Sequence, residues 1–255
     1  MPADSSLEPS PSGPDPLALD GRRLTPIHRV VALLEVILCS DVPTQLALGE
    51  TFRALGYQPF MSGQMRLGFV ATLSLLDSIL LIGLMVFFLY AHGEQPRDVF
   101  LGRRPVSSEA RVGLPLVFLA LALGFGILAT IQRYAPSLHT VPTNPLEALV
   151  RTPRDAWLFA LVVIVPAGVR EELQRAFLLR RFELWLGGAT FGLVVTSIAF
   201  GALHLIQGID ATIATGALGL FWGFVYLRRR SVVASLVSHS GFNLVQTLQF
   251  LVVRT

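Results

Sequence analysis

The chain has 255 residues, 53% of them hydrophobic and only 15% charged, whereas an average soluble domain is about a quarter charged. An ordinary water-soluble globule is therefore excluded. The 20 basic residues are all arginine and the net charge is +3. They lie in short stretches between apolar blocks, the pattern that orients membrane proteins, and not in a basic surface with interleaved aromatics that would bind nucleic acid. The single Cys39 rules out an intramolecular disulfide and a cysteine-built metal site within one chain.

Residues 1–21 hold five prolines with Ser, Asp and Glu and no basic residue, a composition that buries too little apolar surface to fold and lacks the charged start of a signal peptide. A disordered tail is expected there. Residues 30–49 are apolar but carry Glu35, Asp41 and Pro43, so they read as a spanning helix or as an amphipathic one lying at the interface. Clearer spans follow at residues 67–92, 112–132, 156–183, 188–207, 211–227 and 232–253, each about long enough to cross roughly 30 Å of hydrocarbon. The expected fold is all-α, a polytopic transmembrane helical bundle of about six to seven spans in the cell membrane.

With residues 30–49 counted as a span, twelve arginines fall on one side, Arg97, Arg103, Arg104, Arg180, Arg181 and Arg228 to Arg230 among them, and six on the other, including Arg53, Arg66, Arg133 and Arg151. That excess favours a cytoplasmic N-terminus. The pairs Gly188/Gly192 and Gly219/Gly223 have the small-xxx-small spacing of closely packed membrane helices.

An ionisable group inside a bilayer costs roughly 2.5 to 3.5 kcal/mol on insertion scales, so each needs a partner or a function. Glu171, Glu172 and Arg175 lie within one apolar span, His204 near the end of the next, and His239 with Asn243 inside the last. Any one of them could simply pin two helices by a hydrogen bond; the whole set points to a site. Glu171 and Arg175, Phe200 and His204, and His239 and Asn243 are each four residues apart, so each pair projects from one helical face. Glu171 and His204 are symmetric about Gly187 and Gly188, and a hairpin closing there puts both side chains at one depth, facing each other. Ideal helices leave His239 about 7 Å off that depth. A carboxylate and an imidazole sharing a water form a hydrolytic arrangement, and a second His with an Asn one turn on suits an oxyanion. The same Glu171, His204 and His239 could instead ligate zinc with a position open for water.

At these residues the chain resembles the CPBP family of intramembrane proteases, which covers CAAX prenyl proteases and the Abi, or bacteriocin-processing, proteins. The family signature is a double glutamate followed by Arg, then Phe-xxx-His, then His-xxx-Asn on successive membrane helices. Here it reads Glu171-Glu172-Leu173-Gln174-Arg175, Phe200 to His204, and His239 to Asn243. The arginine departs from the usual form by one place, and Ala176 holds the expected position. The resemblance implies that Glu171 and His204 activate water, that His239 and Asn243 stabilise the oxyanion, and that Glu172 and Arg175 support them. It implies N-terminal helices over residues 22–149 and a CPBP-like catalytic core over residues 150–255. No cofactor is expected, with zinc as the alternative, and the partners expected are the lipid bilayer and a membrane-associated protein or peptide substrate. His-Glu-x-x-His, Gly-x-Ser-Gly and Gly-x-Gly-Asp are missing, which argues against other intramembrane proteases. Two further readings stay open: a non-catalytic immunity or scaffold protein of the same fold, and a proton-coupled transporter, although no internal repeat is visible.

Overall fold

A computed structural model describes residues 26–61, 64–142 and 144–253. The tail expected over residues 1–21, with Arg22, Arg23 and Arg254, lies outside the described residues. The elements run α1 (Pro26–Leu38), α2 (Val42–Ala54), a hairpin of β1 (Phe60–Met61) and β2 (Gln64–Met65), then α3 (Leu67–Ala91), α4 (Pro96–Phe100) and α5 (Val106–Tyr134). There follow α6 (Pro153–Ile164), a π-helical turn (Val165–Arg170), α7 (Glu171–Trp185), α8 (Ala189–Ala202), α9 (Ile209–Arg229) and α10 (Val233–Val253). The all-α expectation is met.

Among the described residues α3, α5 and α9 are long and apolar enough to cross a bilayer, and α1 with α2 makes a fourth if that pair, bent by 44°, counts as one span. The expected six to seven spans are not reached by this measure. For two of the missing spans the reason is local: residues 156–183 are divided among α6, the π turn and α7, and α8 ends after 14 residues, about 21 Å at 1.5 Å per residue. Large apolar side chains face outward around the bundle, among them Phe118 (74% exposed), Ile79 and Ile198 (both 67%). So much exposed hydrocarbon suits lipid and not water; this is a membrane protein.

Within the bent pair α1 packs on α7 and α2 on α3. His92, just past α3, meets Glu35 of α1 at 2.6 Å, and Phe52 of α2 packs edge-on against Phe69, ring centroids 5.7 Å apart. The bend lies at Asp41, whose φ of 80° is left-handed, a conformation only small or polar residues adopt readily. Irregular backbone at membrane depth persists only where protein groups satisfy it, and here the Thr44 hydroxyl and the Gln45 N–H donate to the Asp41 carbonyl at 3.1 Å each, Gln174 donates to the Cys39 carbonyl at 2.8 Å, and Arg170 pairs with the Asp41 carboxylate at 3.1 Å.

Of the arginines that the sequence sorted to one side, Arg97, Arg103, Arg104, Arg180, Arg181 and Arg228 to Arg230 meet at one end of the bundle. Arg180 and Arg181 both pair with Glu94, Arg229 with Glu109, and Arg230 with Glu183. At the other end Arg151 bonds Gln64 and Arg66 lies over the Tyr57 ring. Between the ends, α8 packs on α9 through small residues: a Cβ on Gly201 would stand 2.6 Å from the Thr212 carbonyl oxygen and 3.1 Å from Gly216. Gly192, Gly219 and Gly223 are likewise filled in by Phe182, Phe200 and Leu193, whereas Gly188 faces open space at the start of α8.

Candidate active site

The site is organised by a proline. Pro166 has no N–H to give and its ring crowds the carbonyl four residues earlier, so a regular α-helix cannot pass through it. The chain instead takes the wider π turn over Val165–Arg170, and α7 starts at Glu171 immediately after it. Such turns are rare and recur at functional sites. Gly168 in the turn lies so close to Ser240 of α10 that a Cβ would collide with the serine Oγ. That approach brings His239 to the start of α7.

Glu172, with 1% exposure, accepts from the Arg175 guanidinium and, at 2.9 Å, from Nδ1–H of His239. A carboxylate only accepts, so Nδ1 carries the proton and Nε2 points elsewhere: it stands 3.9 Å from Glu171 Oε2. Trp222 of α9 stacks on the His239 ring at 3.7 Å between centroids and 18° between planes, and its own indole N–H is held by Ser238 at 3.1 Å. Arg175 lies over the faces of Phe200 (4.9 Å) and Trp222 (5.8 Å). The displaced spacing in the sequence therefore does not remove Arg175 from the cluster, because i,i+3 neighbours on a helix meet as readily as i,i+4.

His204 lies beyond the last residue of α8, in the turn before a short 3-10 helix. Its Nδ1 is 2.8 Å from the Phe200 carbonyl oxygen, which can only accept, so Nδ1 is the protonated nitrogen and Nε2 is left for chemistry. Asn243 donates one amide hydrogen to the Val163 carbonyl oxygen at 3.3 Å, just before the π turn. His204, His239, Asn243, Phe200 and Trp222 line a common cavity of about 140 Å³. Glu171 and Arg175 line a neighbouring pocket of about 130 Å³, with Phe200 in the wall of both.

Glu171 and His204 make no direct contact among the described residues, and the charged neighbours of Glu171 lie on other elements. Glu171 lies 3.6 Å from Arg170 and 3.9 Å from His239. His239 and His204 nevertheless line one cavity, α8 having ended at Ala202, short of His204. Two participants were not singled out from the sequence. Arg170 joins Glu171 to Asp41 of the bent pair and donates to Gln174 at 3.0 Å; a third ionisable residue adjoining Glu171 was the available signal. Trp222 had no such signal, since an aromatic in an apolar helix reads as core.

No group of three or more His, Cys, Asp or Glu among the described residues is arranged to hold a metal ion, so Glu171, His204 and His239 as placed are not a ready zinc site.

Residues 153–245 match the family described as Type II CAAX prenyl endopeptidase Rce1-like. The match covers α6 through most of α10 and so contains all six candidate residues. It agrees with the resemblance carried by the three motifs. No curated protein matches the chain, and no solved structure does.

Proposed function

We propose that this membrane protein is an intramembrane endopeptidase of the CAAX-protease type, hydrolysing a peptide bond of a membrane-associated protein. The observation that carries the reading is His239 held at Nδ1 by Glu172, with its Nε2 3.9 Å from the adjacent Glu171, in a cavity shared with His204 and Asn243. One glutamate is committed to holding the histidine and the other is left with an uncommitted carboxylate oxygen beside a cavity.

In this reading the scissile carbonyl enters the cavity and a water is held by Glu171 and by Nε2 of His204. The water oxygen attacks the carbonyl carbon as its proton passes to the Glu171 carboxylate. The oxyanion accepts hydrogen bonds from the second amide hydrogen of Asn243 and from the His239 imidazole beside it. Collapse breaks the C–N bond, and Glu171 hands the proton to the leaving amine. Glu172 and Arg175 keep the His239 ring in position, with Trp222 as its floor.

The test is turnover of a membrane-tethered peptide by purified Glu171→Gln and His204→Ala. Glutamine keeps the shape of Glu171 and cannot take the proton, so both variants are expected to be folded, membrane-inserted and inactive. Wild-type rates in either would remove that residue from the mechanism. Uncut proteins accumulating in native membranes around Glu171→Ala would identify the substrate.

A further inference from the structure

At the end of the bundle away from His204, six arginines surround a cavity of about 430 Å³: Arg103, Arg104, Arg180, Arg228, Arg229 and Arg230. A topology signal needs only arginines scattered in loops. Here three segments distant in sequence bring them to one recess, and the recess is built. The Tyr226 hydroxyl donates to the Val99 carbonyl at 3.1 Å and the Val232 N–H to the Phe100 carbonyl at 2.8 Å, tying the end of α4 to the turn between α9 and α10. Gly102, at φ +65°, lies against the Arg230 carbonyl so closely that any Cβ would collide with it, and Arg230 itself is left-handed at φ 55°.

The charges do not cancel. Asp98 is the one carboxylate in the lining. Glu94, Glu109 and Glu183 pair with Arg180, with Arg104 and Arg229, and with Arg230 from behind. Six guanidinium groups line the recess against four carboxylates, and one of the four, Glu94, is shared with Arg181, so positive charge is in excess. Among the described residues, Arg103 and Arg228 are in salt-bridge contact with no carboxylate; Arg228 lies over the Phe224 ring at 5.4 Å and Arg103 lines a second recess with Arg97. Planar, multiply donating guanidinium groups facing one concavity suit a phosphate, whose oxygens they bind in pairs. The lip is a membrane edge: α5 and α9, which flank it, are two of the spanning helices.

We propose that this cavity is an anion site for a phosphate group, supplied by the headgroup of an anionic phospholipid or by free phosphate. It does not depend on the assignment of the hydrolytic site. The test uses the full chain in a neutral detergent, titrated with phosphatidylglycerol, with zwitterionic phosphatidylcholine, and with inorganic phosphate at constant ionic strength. Binding is read by native mass spectrometry and by the shift in melting temperature. Phosphatidylglycerol is expected to bind and stabilise, and phosphatidylcholine to do neither; stabilisation by inorganic phosphate alone would assign the site to the free anion.

Arg103→Gln with Arg228→Gln breaks no ion pair, so the protein should fold as before and bind the anionic lipid roughly tenfold or more weakly, two charges being lost. Arg53→Gln with Arg133→Gln removes two charges at the opposite end and should bind as wild type. Asp98→Asn, which removes the opposing charge, should bind more tightly; it carries the test if the double arginine variant fails to fold, and unchanged binding would then overturn the site. Wild-type affinity in the Arg103/Arg228 variant, or an equal loss in the Arg53/Arg133 control, would also overturn it.

Discussion

Replacing Glu172 by glutamine separates the two adjacent glutamates. The Glu172 side chain is fully buried and the Arg175 side chain is 7% exposed, so neither charge can recover water when the other is lost. Removing one member of such a pair costs about 3 to 5 kcal/mol, because the remaining charge is stranded. Glutamine retains a carbonyl that can accept one of the two hydrogen bonds, so the lower end, about 3 kcal/mol, is expected. At about 2 to 4 °C per kcal/mol for a chain of this size, the melting temperature should fall by about 6 to 12 °C. Glu171→Gln should behave differently. Its side chain is 13% exposed, and its nearest charged atoms stand at 3.6 and 3.9 Å, beyond hydrogen-bond reach, while Arg170 keeps Asp41 at 3.1 Å. Its cost should be below about 1 kcal/mol, within the range of a weak ion pair. Thermal unfolding of both variants in one detergent measures the difference directly. A Glu172→Gln shift no larger than that of Glu171→Gln would refute the claim that Glu172 holds the site together.

Gly168→Ala should destabilise the protein by about 1 to 3 kcal/mol, because the new methyl overlaps the Ser240 hydroxyl; adding Ser240→Ala should restore part of the loss, and no recovery would place the strain elsewhere. Asn243→Ala should lower kcat by about 10²- to 10³-fold with little change in KM, while the lost hydrogen bond to Val163 costs only about 1 kcal/mol; an unstable protein with unchanged kcat would make Asn243 a purely structural tie. Activity on a membrane-tethered peptide should survive chelators in protein purified without zinc. Its disappearance, with recovery on stoichiometric Zn²⁺, would recast Glu171, His204 and His239 as ligands brought together by the metal.

Local order was legible in the sequence because it is written locally. Apolar blocks with few charges demand helices in a membrane, and a spacing of four residues puts His239 and Asn243 on one face of α10. The glycines Gly192, Gly219 and Gly223 were readable as packing positions for the same reason. What the sequence could not decide is where helices stop and which faces then meet. Spacing alone places His239 and Glu171 on ideal, unbroken helices, and three interruptions change that geometry: the bend at Asp41, the π turn around Pro166 and the end of α8 at Ala202. Each shifts the register between neighbouring helices. Glu171 therefore meets Arg170 and His239, Arg175 meets Glu172 despite its displaced position, and Trp222 becomes the floor of an imidazole. Contacts between helices depend on axial offset and rotation, which are summed over every break in the chain; no spacing within a single helix encodes them.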